Sequence, residues 1–409
     1  MPRKARTTSR AKERARLVEQ AARVALPSEV DVCVVGGGAA GLVAAIVAAK
    51  NGARTVVLER DLICGRTILA TGNGRCNMAN TNLDPQVYND PAFVQTVCGR
   101  TWLEDIRAFF YDCGLVWREE SQGRLYPLSL QAASVREVLI ERAKRAGVVL
   151  APLRAVSNIT NTSNDFTIAY SEDLGSPADK SLRAMRVILA TGGAVAATCA
   201  HNLGFRAEPL QGLLCPLECQ GADFAGLDGR RVHALVRVLR DGREITREAG
   251  EVLFRSYGVS GIVIFNLSRH AEPGDTLALD LLPELSLDAA RKLSTHTLAG
   301  ILDPQVAEVL ARQAGDPADA VLLAKNLHLR VTGLRREDGA QVHRGGFLCD
   351  QFHTQTLESK QRNGFYACGE TLDVDGPCGG FNLAWAWKSG MVAGKAAACA
   401  NTASKGARS

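Results

Sequence analysis

Residues 31–59 read DVCVVGGGAAGLVAAIVAAKNGARTVVLE, and this stretch decides the fold. The run Asp31-Val-Cys-Val-Val35 is short, apolar and stops at Gly36. Residues 41–50 are small and apolar over a helical length, Asn51-Gly52 ends that helix, and Thr55-Val-Val-Leu58 is a second apolar run. Strand, helix and strand within about thirty residues make a βαβ unit, whose strands lie parallel because the helix carries the chain back across the sheet.

Between the first strand and the helix stands Gly36-x-Gly38-x-x-Gly41, with Ala39 and Ala40 inside it. In that position the first glycine permits a tight turn, the second lets main chain approach a pyrophosphate, and the third lets helix and strand pack closely. Free N–H groups at the helix start then face the phosphates. Glu59 follows Gly41 by 18 residues, where a carboxylate accepts hydrogen bonds from adenosine ribose hydroxyls and disfavours a 2′-phosphate. The plainer alternative is a tight turn alone, but strand, helix and acid together point to an adenine dinucleotide. They do not choose between FAD and NAD.

With 409 residues, 46% hydrophobic and 22% charged, the chain can bury a sizeable core, which excludes a disordered or fibrous protein. Its net charge of +5 is unevenly placed: residues 1–27 hold eight Arg and Lys against Glu13 and Glu19, so the rest sums to −1. A nearly neutral body has no footprint for specific nucleic-acid binding. The basic segment reads as a solvated tail and lacks the apolar run of a signal peptide. The uncharged residues 32–49 are broken by four glycines, which argues against a membrane span. Twelve cysteines include no C-x-x-C pair, so the expectation is reduced thiols in a cytoplasmic protein and no metal site.

Further along, residues 132–146 have helical periodicity, and residues 155–170 alternate as a small meander before the apolar strand 187–190, which stops at Thr191-Gly192-Gly193. Val232, Ala234, Val236 and Val238 alternate up to Asp241-Gly242, a hairpin signal. Asp303-Pro304 and Asp316-Pro317 mark helix starts. The expected organisation is a disordered basic tail over 1–28, a nucleotide-binding domain made from 29–199 and 341–400, an inserted barrel and helical region over 200–340, and a tail over 401–409.

Six separated motifs then choose the cofactor: VVGGGAAG, LATGNGRCNMAN (69–80), GRLYPLS (123–129), VILATGG (187–193), GEVLFRSYGVSG (250–261) and GFYACGETLDVDGPCGGFNLAWAWKSG (364–390). In this order they resemble the BaiN-like, aminoacetone-oxidase-like family of FAD-binding flavoproteins, over roughly residues 29–398. The resemblance implies an α/β fold, a glutathione-reductase-type FAD-binding Rossmann-like domain interrupted by a β-barrel and a small helical region. It implies that Gly36, Gly38 and Gly41 face the pyrophosphate and Glu59 the ribose. Arg66, Gly74, Arg75, Cys76 and Asn77 would run beside the cofactor, with Thr191 and Gly192, and with Gly369 and Glu370 near the pyrophosphate and ribityl chain. Gly379, Gly380, Phe381 and Asn382 would offer N–H groups to the flavin pyrimidine edge, and a helix start there raises the reduction potential.

Trp385 and Trp387 read as packing. Cys76, with Cys64 or Cys378, is either a redox thiol or an inert buried one. Tyr126, Tyr257, His343, Arg269 and His201 are candidate proton donors or substrate anchors, since hydride chemistry at a flavin often needs a nearby acid. After A-T-G-G, residues 194–202 depart from the family, whose glycine-rich loop is missing or shortened here. The expected function is hydride transfer between flavin N5 and a small organic substrate, either amine or amino-ketone oxidation or reduction of an unsaturated carbonyl compound. A non-catalytic FAD-binding scaffold or sensor, or a flavin-dependent nucleic-acid-modifying enzyme, are the other readings. No second glycine fingerprint follows a strand, so NAD(P)H would dock only transiently as electron donor.

Overall fold

The computed structural model describes residues 3–162, 165–172, 180–193, 203–292 and 300–405. In it, β1 (Glu29–Val35) and β2 (Thr55–Leu58) lie parallel, with Val32 opposite Thr55 and Val35 opposite Leu58. Val32, Cys33 and Val34 have no exposed surface, as expected for a parallel strand covered on both faces. The chain divides into two units, Met1–Leu210 with Arg344–Ser409, and Gln211–His343.

The first unit opens with helix α1 (Arg3–Ala22) and β1, followed by α2 (Ala39–Lys50) and β2. Next come β3 (Ala79–Asn80), α3 (Pro91–Cys98), α4 (Trp102–Asp112), β4 (Trp117–Glu119), β5 (Arg124–Pro127) and α5 (Ala132–Arg145). The chain then returns to the main sheet through β6 (Val149–Ala151), β7 (Ala155–Asn161), β8 (Phe166–Ser171) and β9 (Lys180–Leu189). After the second unit, β18 (Phe365–Ala367) and α8 (Phe381–Lys405) complete it. The sheet order is β6-β2-β1-β9-β8-β7. β18 pairs parallel with the end of β9, whereas β8 pairs antiparallel with its beginning. β3, β5 and β4 form a separate small sheet.

Eight of the twelve residues of α2 are buried, and its small residues are needed against α8. A Cβ at Gly390 would lie 2.5 Å from Ala40 O, and one at Gly394 would lie 2.3 Å from Ala44 O. The two helices therefore cross with their main chains nearly in contact.

The second unit is a closed barrel, β11-β14-β13-β12-β15-β16, formed by β11 (Leu217–Gln220), β12 (Arg231–Arg240), β13 (Arg243–Arg255), β14 (Gly258–Ser260), β15 (Thr276–Asp280) and β16 (Leu327–Leu334). Inside it, Ala234, Val236 and Val238 are fully buried. Asp241 and Gly242 have φ of 51° and 77°, the left-handed pair that a two-residue hairpin turn requires. Helices α6 (Pro304–Ala314) and α7 (Pro317–Lys325) add Val306, Val309, Leu310 and Val321 to the barrel core.

Three expected boundaries change. The segment before β1 is helical from Arg3, and its end is tied down by Ala21, 1% exposed, so it is not a disordered tail. The first unit extends past residue 200 because Phe205 stacks 5.6 Å from Phe352 and 5.1 Å from Phe365. At the other end α8 continues to Lys405.

Candidate functional site

Gly36, at φ 102°, makes the turn out of β1, and its N–H donates to Leu58 O at 2.8 Å. A Cβ there would sit 2.4 Å from Ala190 O, and one at Gly41 would sit 1.9 Å from Gly36 O. The turn is thus pressed between α2 and the end of β9, beside Thr191 and Gly192. α2 is capped by the extended Gly38, with no side chain on its first N–H groups. That leaves donors and positive partial charge available to an anion. Glu59 follows β2, its Oε2 accepting from Gly37 N at 2.6 Å and its Oε1 from Asp61 N at 2.8 Å.

From there a second segment runs alongside. Gly65 N donates to Gly37 O at 2.7 Å, Arg66 pairs with Asp61 at 2.7 Å, and the turn Thr67–Gly74 leads to residues 74–77. Gly72, Asn73, Gly74 and Cys76 all have φ between 54° and 81°. Strain of this kind clusters at ligand clamps. The far end of the segment meets α8: Trp387 Nε1 donates to Met78 O at 2.9 Å, Asn80 Nδ2 donates to Gly379 O at 3.0 Å, and a Cβ at Gly380 would lie 2.3 Å from Ala79 O. Trp385 Nε1 donates to Gly369 O at 3.1 Å, so both tryptophans, fully buried, tie the expected cofactor loops to one helix. Tyr88 donates to Phe381 O at 2.8 Å. Asn382 turns back to close its own loop, its Oδ1 accepting from Gly376 N and its Nδ2 donating to Gly376 O, both at 2.8 Å.

The residues present fit FAD. Asn77 Oδ1 is buried without a hydrogen-bond partner among the described residues. Three glycines here are open: among the described residues a Cβ at Gly192 would meet nothing within 4 Å, at Gly74 only Leu69 O at 4.0 Å, and at Gly38 only Thr67 Oγ1 at 3.5 Å. A bound FAD would be held at its pyrophosphate by the start of α2, at its ribose by Glu59, and at its flavin by residues 74–77 and the start of α8. Gly369 adjoins α2, where its Cβ would be 2.8 Å from that of Ala40. Burial, aided by the nearby Asp375, pushes the neighbouring Glu370 up to about 7.

Of the candidate donors among the described residues, Tyr126 alone stands in this unit at the loop. Its ring is 8% exposed, the Arg75 guanidinium lies over it at 4.4 Å, and its hydroxyl has no partner among the described residues. Arg75 also pairs with Glu120 at 2.6 Å. Tyr257, under the Arg335 guanidinium at 4.6 Å, and Arg269 and His343 belong to the barrel unit. His201 and the departing segment 194–202 lie outside the described residues. Burial pushes Cys76 up to about 11 and Cys64 up to about 12, so neither thiol is activated, and Cys378 is not in a disulfide. Among the described residues no cluster could hold a metal ion, and no helix is long and apolar enough to cross a membrane.

Sequence reasoning missed one feature, the pair in which the half-buried Arg344 donates to the buried Asp375 at 2.7 and 3.2 Å. Gly345 N donates to Asp373 Oδ1 beside it at 2.8 Å. Two aspartates in an otherwise apolar, glycine-rich run were the available signal.

The HI0933-like protein Rossmann domain family matches residues 30–396. The 3-dehydro-bile acid delta(4,6)-reductase of Clostridium scindens is 34% identical over 89% of this chain and 98% of its own. A ribosomal RNA dihydrouridine synthase of Escherichia coli is 26% identical over 88% of this chain and 96% of its own. In fold the chain is similar to a 3-ketosteroid-delta4-(5alpha)-dehydrogenase from Rhodococcus jostii, with a TM-score of 0.50 at 15% identity over 92% of this chain and 98% of that one. With a match that spans nearly the whole chain, the protein belongs to the HI0933-like Rossmann family and is an FAD-dependent oxidoreductase.

Proposed function

We propose that this enzyme reduces a carbon–carbon double bond conjugated to a carbonyl group in a small organic substrate. Bound FAD supplies the hydride for such chemistry, with NAD(P)H as a transiently docking electron donor. The chain's own task is to hold the substrate and deliver a proton to the carbon next to the carbonyl. Tyr126 carries this reading: its hydroxyl has no partner among the described residues, its ring is buried, and Arg75 is held over it by Glu120. The positive charge of Arg75 can orient a carbonyl oxygen. The names of both relatives describe saturation of a double bond next to a carbonyl, which agrees with reduction rather than amine oxidation. A cytoplasmic setting suits the eleven described cysteines, none of which is in a disulfide.

The test is anaerobic. FAD-loaded enzyme is mixed with NADPH and a 3-keto-4-ene steroid, and product is followed by loss of enone absorbance and a mass gain of two hydrogens. If enones are left intact while aminoacetone in air is consumed, the enzyme is an amino-ketone oxidase instead. Bound flavin that exchanges electrons with neither class would identify a carrier or sensor.

A further inference from the structure

The leading helix carries charge that the oxidoreductase fold does not use. α1 spans Arg3–Ala22, lies outside the family match at residues 30–396, and holds seven Arg and Lys against Glu13 and Glu19. At 1.5 Å per residue its 20 residues extend about 30 Å. Its end is fastened. Ala21 is 1% exposed, and the nearly buried Arg154 donates to Ala21 O at 3.4 Å and Val24 O at 3.5 Å while pairing with Glu172 at 3.0 Å. A cation at the last carbonyls is the favourable sign for that end of a helix. By contrast, residues 11–20 are exposed except for the half-buried Leu17. Lys12 and Arg14 have no ion-pair partner among the described residues, whereas Arg16 pairs with Glu13 at 2.7 Å.

Ahead of that fastened end the helix, with a net charge of +5 from seven cations and two acids, repels itself. A polyanion removes that repulsion. The spacing of Arg3, Arg6, Arg10 and Arg14 places four arginine positions along one helix face. Between residues 3 and 16 the only apolar residues are alanines, so there is nothing to insert into a bilayer. We propose that α1 is an arm that grips the phosphodiester backbone of a nucleic-acid duplex without reading its sequence. The remainder of the chain sums to zero, so the whole net charge of the protein sits on α1.

The test compares the full chain, a deletion of residues 1–18 that keeps Ala21, and the triple variant R6E/R10E/R14E. Each is titrated into fluorescein-labelled RNA and DNA duplexes of equal length and read by anisotropy at several salt concentrations. Both changes should weaken binding at least tenfold at low salt. The slope of log affinity against log salt should become shallower by about 3 for the triple variant, near one unit per lost phosphate contact. Loss for both duplexes supports backbone binding in general, and loss for RNA alone assigns the arm to A-form geometry. Unchanged affinity in both variants overturns the proposal, as does binding to phosphatidylglycerol vesicles without binding to either duplex. FAD content and turnover, which rest on residues after 29, are the control and should not change, so this result is independent of the proposed reaction.

Discussion

The guanidinium of Arg75 lies 4.4 Å from the centre of the Tyr126 ring, held by Glu120 at 2.6 Å. The two residues come from separate segments, the loop 72–77 and strand β5. Tyr126→Phe removes only the hydroxyl, so FAD should remain bound with an unchanged spectrum while kcat for enone reduction falls about 100- to 1000-fold. A variant within threefold of wild type would remove Tyr126 as the proton donor.

Two glycines of one fingerprint should fail differently. Gly41→Ala forces a methyl to 1.9 Å from Gly36 O, which cannot be accommodated without moving the β1–α2 turn. That variant should be insoluble or melt far below wild type. Gly38→Ala meets only Thr67 Oγ1 at 3.5 Å, so the apoprotein should keep its melting temperature and lose FAD affinity by tenfold or more. Fluorimetric FAD titration alongside thermal melting separates the two.

Glu370 gives a pH signature. Its carboxyl is pushed from 4.5 up to about 7 by burial and by Asp375, so between those values the folded state binds a proton that the unfolded chain has released. Its contribution is therefore complete below 4.5 and is lost as pH rises towards 7. Glu370→Gln keeps the neutral form at every pH. The apoprotein variant should gain melting temperature over wild type at pH 8 and show little difference at pH 5; equal melting curves at pH 8 would contradict the shift.

The Arg344–Asp375 pair holds a carboxylate side chain with no exposure at all. Arg344→Ala takes a charged hydrogen-bond partner away from that buried carboxylate, with an expected loss of roughly 1.5–3 kcal/mol. Denaturant unfolding of R344A against R344A/D375N checks it, because the double variant should recover part of the loss.

Cys76 should prove dispensable. Its thiol is fully buried and pushed up to about 11, so Cys76→Ala should turn over within twofold of wild type, and iodoacetamide should leave the native enzyme active. A tenfold fall in activity with FAD still bound would restore the redox-thiol reading.

Legibility in the sequence followed contact range. The β1–α2–β2 unit, the Asp241-Gly242 turn and the Asp303 cap of α6 are local, and each has its own residue signature. What escaped depends on residues far apart: Trp387 meets Met78 O across 309 positions, and Arg344 meets Asp375 across 31. Tryptophans read as packing are also hydrogen-bond ties, because a buried indole N–H needs an acceptor that periodicity does not reveal. The boundary near 200 shifted for a similar reason, since Phe205 is claimed by three phenylalanines from beyond the barrel, at positions 347, 352 and 365.

The crossing of α2 and α8 also acts as a ruler. Gly390 touches Ala40 at the very start of α2, and Phe381 begins α8 nine residues earlier, about 14 Å away along the helix axis. Both anion-attracting helix starts are thus set at a fixed separation by one rigid rod, with Glu59 anchored beyond the first of them. A cofactor that met both helix starts would have to span that length, so the crossing fixes the distance between two anion-attracting ends as well as joining the helices.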